Sequence, residues 1–232
     1  MVEATVIIPC WIIDQTLLQL TQRCIQSVRE TSNVELILID NGSNYGSNML
    51  RDEADIYVRN QYNAGYVKAI NQGIKLSSAE YIVCGNNDYM MKSGWVKALK
   101  VMLDEVKNCG IACPHVEGKP TQKTPWVEHG TPGGWYMIKF ETIAKVGLLD
   151  EKFKNVFADF DFCWRLRKHD LNVISTPHIT VVHYGEATIA KDPNREKEWH
   201  ESSRMLIEKW KNEDFAKKLL EEAGLLEPRK SV

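Results

Sequence analysis

Three short polar clusters carry ligand-binding residue types, and each one ends an apolar run. Pro9, Cys10 and Trp11 follow Thr5 to Ile8; Asp40, Asn41, Gly42 and Ser43 follow Leu36 to Ile39; Asn86, Asn87 and Asp88 follow Tyr81 to Cys84. If those runs are parallel strands, the clusters sit beyond their carboxyl ends, where an open sheet binds its ligands. Taken singly, each also reads as an ordinary turn, because Asp, Asn and Gly supply the conformations that turns need. Three at equivalent places favour a site. Two more carboxylates, Asp159 and Asp161, fall in what reads as the first turn of a helix, where a negative side chain also suits the helix dipole and caps free amides. Asp161 fits that structural role, with Arg165 four residues on as an ion-pair partner.

The elements that must position these residues follow from periodicity. Thr5 to Ile8 reads as a strand buried on both faces and stopped by Pro9. Leu17, Leu20, Cys24, Ile25 and Val28 recur at helical spacing from about Asp14 to Arg29, and Leu36 to Ile39 is the next strand. That is a β-α-β unit, which implies parallel strands and a right-handed crossover. A weak strand near Ile56 to Val58, a helix from Tyr66 to Leu76 and a strand from Tyr81 to Cys84 continue the alternation. A helix carrying Trp95, Leu99, Met102 and Val106 and a short apolar piece from Ile111 to Cys113 follow. The pattern predicts an α/β fold, Rossmann-like, with a doubly wound and mostly parallel central sheet flanked by helices.

After Pro114 the texture changes, and Gly118, Pro120, Pro125, Pro132, Gly133 and Gly134 divide the chain into loops and short strands such as Trp135 to Ile138. Helices are predicted over Glu141 to Val146 and Asp159 to Lys168, and strands over Leu171 to Ile174 and Ile179 to His183. A polar amphipathic helix from about Asn194 to Glu222, with a break left open, closes the chain, and Glu227 onward is expected to fray. The expected organisation is one domain over 1–232, divided into 1–113, a smaller lobe over 114–190 on the same sheet, and a helical extension over 191–232.

Composition narrows the function classes. With 232 residues and 44% hydrophobic content the chain can bury one substantial core. Charged residues nearly cancel to a net charge of -2, so there is no broad basic field, and nucleic acid is disfavoured as a partner. The apolar start is interrupted by Glu3 and ended by Asp14, well short of a bilayer span. The expectation is a cytoplasmic protein without a transmembrane segment, with peripheral attachment to a membrane left open. The six cysteines lack the paired spacing of a zinc or redox site, and buried free thiols are expected.

In order along the chain, VIIPCW, LILIDNGS, NAGYVKAINQGI, EYIVCGNND, GGWYMI, GLLDEKFKNVFADFDFCWRL and VVHYGEAT resemble family 2 glycosyltransferases of the GT-A fold, in particular the rhamnosyl- and galactofuranosyltransferase-like members. The resemblance covers roughly residues 4 to 188 and leaves out the C-terminal helix. It implies a glycosyltransferase of the hexosyltransferase type that moves one sugar from a nucleotide diphosphate sugar, a UDP-sugar first among the candidates, to an acceptor hydroxyl. The half over 1–113 would bind the donor and that over 114–190 the acceptor.

The same resemblance assigns roles. Asp88 matches the last acidic position of the family's metal motif, and His183 the histidine that completes the metal sphere in several relatives. Hard oxygen and imidazole suit magnesium or manganese, which would neutralise the diphosphate leaving group. Asn86 and Asn87 stand where many members carry a further aspartate. For the donor, Trp11 matches an aromatic against the base, Asp40 the carboxylate that reads the nucleoside, and Pro9, Asn63 and Asn87 line the pocket. For the acceptor, Asp159 matches the general base, Ala158 replaces the usual preceding glutamate, and Gly133, Gly134, Trp135 and Asp161 fall at acceptor-side positions. Attack promoted by a single base implies inversion at the anomeric carbon.

Plainer readings stand beside these: a core tryptophan for Trp11, a helix N-cap for Asp88, a satisfied strand-end histidine for His183 and a Pro-Gly-Gly turn for Gly133 and Gly134. Two other functions compete. A catalytically silent carbohydrate- or nucleotide-binding module would explain the missing acids. A nucleotidyltransferase would show a glycine-rich N-terminal loop, and no glycine lies between Ile8 and Leu18.

Overall fold

The alternation along β1 (Thr5–Cys10) shows how the layers arise: Val6 and Ile8 face one apolar core and Ile7 the other, and all three are fully buried. A strand covered on both faces needs helices on both sides. α1 (Gln15–Thr31) supplies one of them; Asp14 caps it by accepting from the Leu17 amide at 2.9 Å, and Leu17, Cys24, Ile25 and Val28 form its buried face. The computed structural model describes residues 2–119, 125–128, 132–185, 191–222 and 225. The expected frayed segment from Glu227, and Glu186 to Thr188 of the last family motif, lie outside them.

β2 (Glu35–Asp40) pairs parallel with β1, and α2 (Ser47–Glu53) leads to β3 (Ile56–Arg59), parallel to β2. α3 (Tyr66–Leu76) packs Val67, Ile70 and Ile74 on the second face and returns the chain to β4 (Tyr81–Gly85), parallel to β1 on its other side. Pro9 lies within β1, which runs to Cys10. The missing N–H is tolerated because pairing with β4 ends at Ile7 while pairing with β2 continues through Pro9.

Beyond β4 the sheet becomes mixed. β5 (Tyr89–Met90) precedes α4 (Trp95–Glu105), and β6 (Cys109–Val116) is longer than the apolar piece expected there. β7 (Trp126–Glu128) and β8 (Trp135–Lys139) follow, and β8 inserts antiparallel between β4 and β6. Among the described residues the strand order is β3-β2-β1-β4-β8-β6-β9-β5, with β7 also on β9.

β9 (Asn172–His183) is one strand where two were expected. A register shift between Pro114 and His115 of β6 absorbs the irregular middle, so one strand pairs β7 at its start and β5 at its end. α2, β5 and β7 are too short to leave a periodic signal. All six cysteines are buried and free, as expected. No helix among the described residues is long and apolar enough to cross a membrane.

α5 (Phe140–Val146) and α6 (Ala158–Arg167) cover the second face, and the C-terminal helix is two helices, α7 (Arg195–Trp210) and α8 (Asp214–Glu222). A buried charge joins α6 to α7. Asp161 has no exposed surface and accepts from Arg165 Nε at 3.0 Å, Trp210 Nε1 at 2.9 Å and Lys209 Nζ at 2.7 Å. Trp210 also meets Trp164 edge to face with centroids 5.6 Å apart. Removing one member of such a buried cluster strands the others. Asp161→Ala is therefore expected to cost about 3–5 kcal/mol of stability in urea unfolding, whereas loss of an exposed pair such as Lys217 with Asp214 should cost under about 1 kcal/mol.

Candidate functional site

The C-terminal end of β4 delivers Asn86, Asn87 and Asp88 to the middle of the sheet, and β5 then turns back to pair with the end of β9, Tyr89 opposite His183. That pairing fixes two chemically important neighbours. His183 Nε2 lies 3.4 Å from Asp88 Oδ2, and the imidazole stacks on the Tyr89 ring with centroids 4.1 Å apart. The Asp88 backbone carbonyl accepts from the Tyr184 amide at 3.1 Å, which closes the corner. Asp88 is 4% exposed, and its Oδ1 is buried without a hydrogen-bond partner. A buried carboxylate oxygen with no donor is costly, so this one is suited to a cation.

α1 forms the floor of this corner. Thr21 Oγ1 donates to its own helix at Leu17 O and accepts from Asn87 Nδ2 at 2.8 Å; Ser27 Oγ donates to Cys24 O and accepts from the Met91 amide at 3.0 Å. Thr31 repeats the arrangement, donating to Ser27 O and accepting from Trp95 Nε1 at 3.2 Å. Each hydroxyl spends its proton on α1 and turns a lone pair to the 86–95 segment. The Cys24 thiol, pushed up to about 12 by burial, stays neutral and donates to Asn86 O at 3.6 Å. Asn87, expected to line the donor pocket, instead directs its amide into α1.

Gly134 and Trp135 complete the corner from β8. Gly134 donates from its amide to Tyr89 Oη at 3.0 Å and accepts from the Asn86 amide at 2.7 Å; a Cβ there would overlap the Asn86 side chain. Gly133 is exposed with φ of 70°. Trp135, expected as an acceptor platform, is 1% exposed, lies over Gly85 where any Cβ would strike its ring, and meets Trp95 edge to face at 5.6 Å. It belongs to the core, because β8 turns it inward between α4 and β4. Asp161 is likewise removed from the acceptor side by its contacts with α7.

At the ends of β2 and β3, Asp40 is fully buried. It accepts from the Ser43 amide and Tyr57 Oη, each at 2.8 Å, and pairs with Arg59, which also holds Ser47 Oγ and, at 3.1 Å, Ser43 O. Burial alone would raise its pKa, but the hydrogen bonds from Ser43, Tyr57 and Ser47 hold it below the usual carboxylate range. Its carboxylate thus organises the loop after β2 instead of facing outward to read a base. Trp11 and Pro9 are half-buried at the end of β1, and Asn63 accepts from the Gly65 amide at 3.0 Å, shaping the entry to α3.

Asp159 sits in the first turn of α6, partly exposed, with Oδ1 accepting from the Phe160 amide at 3.0 Å. The helix begins from Phe157 at φ of 65°, a left-handed conformation that costs a bulky residue about 1–3 kcal/mol. Tyr66, at the start of α3, is tied to the turn before this helix, its amide donating to Asn155 Oδ1 at 2.8 Å. Its phenol is pushed well up, first by burial, then by the nearby Cys84 and Asp159, with Tyr89 adding and a Tyr136 hydrogen bond opposing. The Tyr66 side chain itself is half-buried against the second core.

The structure thus gathers Asp88, His183, Gly133 and Gly134 at one corner, with Asp159 in the first turn of α6, after the turn that Asn155 ties to the Tyr66 amide. Tyr89, Tyr66 and the α1 hydroxyls are additions that no sequence spacing announces. Among the described residues no cluster of three or more His, Cys, Asp or Glu side chains is assembled for a metal, so Asp88 and His183 stand as a pair.

A family model described as Glycosyl transferase family 2 matches residues 5–174. A search of the curated proteins finds no match. Among solved structures, GalNAc-T7 with UDP, GalNAc and Mn2+ superposes with a TM-score of 0.66 at 14% identity, over 79% of this chain and 44% of that one. S. aureus TarS 1-349 superposes with a TM-score of 0.66 at 12% identity, over 91% of this chain and 66% of that one. The chain therefore spans less than half of the first neighbour and about two thirds of the second, and the likeness shows a shared GT-A fold. With the matched segment running from β1 into β9 over this fold, the chain belongs to glycosyl transferase family 2.

Proposed function

We propose that the chain transfers a single sugar from a nucleotide diphosphate sugar to an acceptor hydroxyl by direct displacement, with Asp88 and His183 holding a divalent cation and Asp159 acting as general base. The observation that carries this reading is the buried, unpartnered Oδ1 of Asp88 beside the His183 imidazole. One carboxylate and one imidazole leave most of a cation's sphere to other oxygen ligands, as suits a metal bound together with a diphosphate. When bound, a cation there supplies charge neutralisation to the departing diphosphate. The GalNAc-T7 structure, with UDP, GalNAc and Mn2+, makes manganese and UDP-sugars the first probes.

The protein's own residues divide the remaining work. Trp11, half-buried beyond β1, offers a face for a base, while Pro9 and Asn63 line the same end. Asp40 and Arg59 hold the intervening loop. Gly133 and Gly134 let the backbone approach a sugar closely. Asp159, partly exposed, takes the proton from the attacking hydroxyl.

Asp159→Asn is expected to keep nucleotide affinity near that of the native chain and to lower turnover about 10²- to 10⁴-fold; full turnover would remove it as the base. In a manganese titration, Asp88→Ala should abolish saturable metal dependence. Asn87→Asp, although it adds an acid beside Asp88, should weaken metal dependence, because Thr21 has no proton to offer a carboxylate. Tighter manganese binding by Asn87→Asp would place residue 87 in the metal sphere. Proton NMR couplings of donor and product should show inversion at the anomeric carbon, and retention would exclude single displacement.

A further inference from the structure

α7 lies beyond the segment that matches the family, yet it reaches the turn that launches Asp159. Glu198, 9% exposed, accepts from the Asn155 amide at 2.7 Å and the Val156 amide at 3.3 Å through Oε1, and from Asn155 Nδ2 at 2.8 Å through Oε2. Asn155 Oδ1 in turn accepts from the Tyr66 amide at 2.8 Å, at the start of α3. The next residue of α7, Trp199, meets the Phe157 ring edge to face at 5.5 Å. The left-handed residue before α6 is thus held from α7 on both sides.

The backbone donors dictate the chemistry of this chain of bonds. An amide N–H can only donate, so the Asn155 atom facing Tyr66 must be its oxygen, and its NH₂ must face residue 198. Residue 198 receives donors at both of its terminal atoms. Only a carboxylate can accept at both.

We infer that Glu198 is a positioning residue for Asp159: through Asn155 it locks the 154–157 turn to the start of α3, and so sets where the Asp159 carboxylate stands relative to Tyr66 and the Asp88 corner. The inference rests on the reading of Asp159 as the base. α7 then belongs to the reaction machinery of this chain, although the family match ends before it.

The test is an exchange of acceptor and amide. In Glu198→Gln the new NH₂ confronts the Asn155 NH₂; if Asn155 turns over, Tyr66 loses its acceptor. Adding Asn155→Asp restores every bond with the same total charge, since the carboxylate at 155 accepts from both Tyr66 N and the amide at 198. Glu198→Gln and Asn155→Asp singly are expected to lower UDP release about 10- to 100-fold, as a misplaced group does. The readout is UDP release with manganese from UDP-glucose, UDP-galactose, UDP-GlcNAc or UDP-GalNAc, whichever the native chain accepts, with UDP affinity held within about twofold. The double variant should recover most of the loss.

Hydrogen exchange at the Tyr66 and Val156 amides should follow the same order in all four proteins, which supplies a readout independent of the donor. Asp159→Asn combined with Glu198→Gln should be no slower than Asp159→Asn alone. A double variant as slow, as fast-exchanging or as poorly folded as Glu198→Gln would overturn the inference, as would additive losses with Asp159→Asn. Full turnover by Asp159→Asn itself would instead defeat the assignment of the base.

Discussion

The Asp88 corner depends on the antiparallel pairing of β5 with the end of β9. Two residues of β5 suffice, because Tyr89 opposite His183 brings the imidazole to the Asp88 carboxylate from a strand far along the chain. Without that pairing Asp88 would be a buried acid with nothing beside it. Its buried, unpartnered Oδ1 makes the corner costly for the fold.

The corner is kept in place by tight packing around it. Gly85 leaves room for the Trp135 ring, Trp135 packs on Trp95 and Tyr89, and Tyr89 supports His183 while accepting from Gly134. From below, α1 offers hydroxyls whose protons are already committed to their own helix, so they can only accept from the segment that carries Asp88. A loop that would be mobile on its own is thereby gripped by a rigid helix, the condition for a preorganised site.

The opposite side is built with charge inside the fold. Asp161 and Glu198 each sink a carboxylate among donors, the first tying α6 to α7 and the second tying the turn before α6 to α7 and α3. These groups are stable only because every oxygen has a donor, which makes the geometry strict and fixes the left-handed Phe157 ahead of Asp159. Asp40 follows the same logic at the ends of β2 and β3, where Arg59, Tyr57 and Ser43 satisfy it.

Sequence periodicity was enough for β1, α1, β2, α3, β4 and α4, since each is long, apolar at one spacing and bounded by turn residues, and local propensity and global burial agree there. It also brought the polar clusters to the strand ends, although Pro9 and Cys10 are the last residues of β1 and Asp40 the last of β2; the roles expected of Asp88, His183 and Asp159 came from the family resemblance and not from spacing. It did not reveal that β9 is one strand, because the irregular stretch around Pro177 is bridged only by pairing with β6. Nor could it separate Trp11 from Trp135, or add Trp210 and Lys209 to the Arg165 partner that spacing gave Asp161, since residue type says what a side chain can do and not which way it faces. Those choices were made by distant partners, Trp210 and Lys209 for Asp161 and Gly85 for Trp135, which come into contact only once the sheet and α7 have packed.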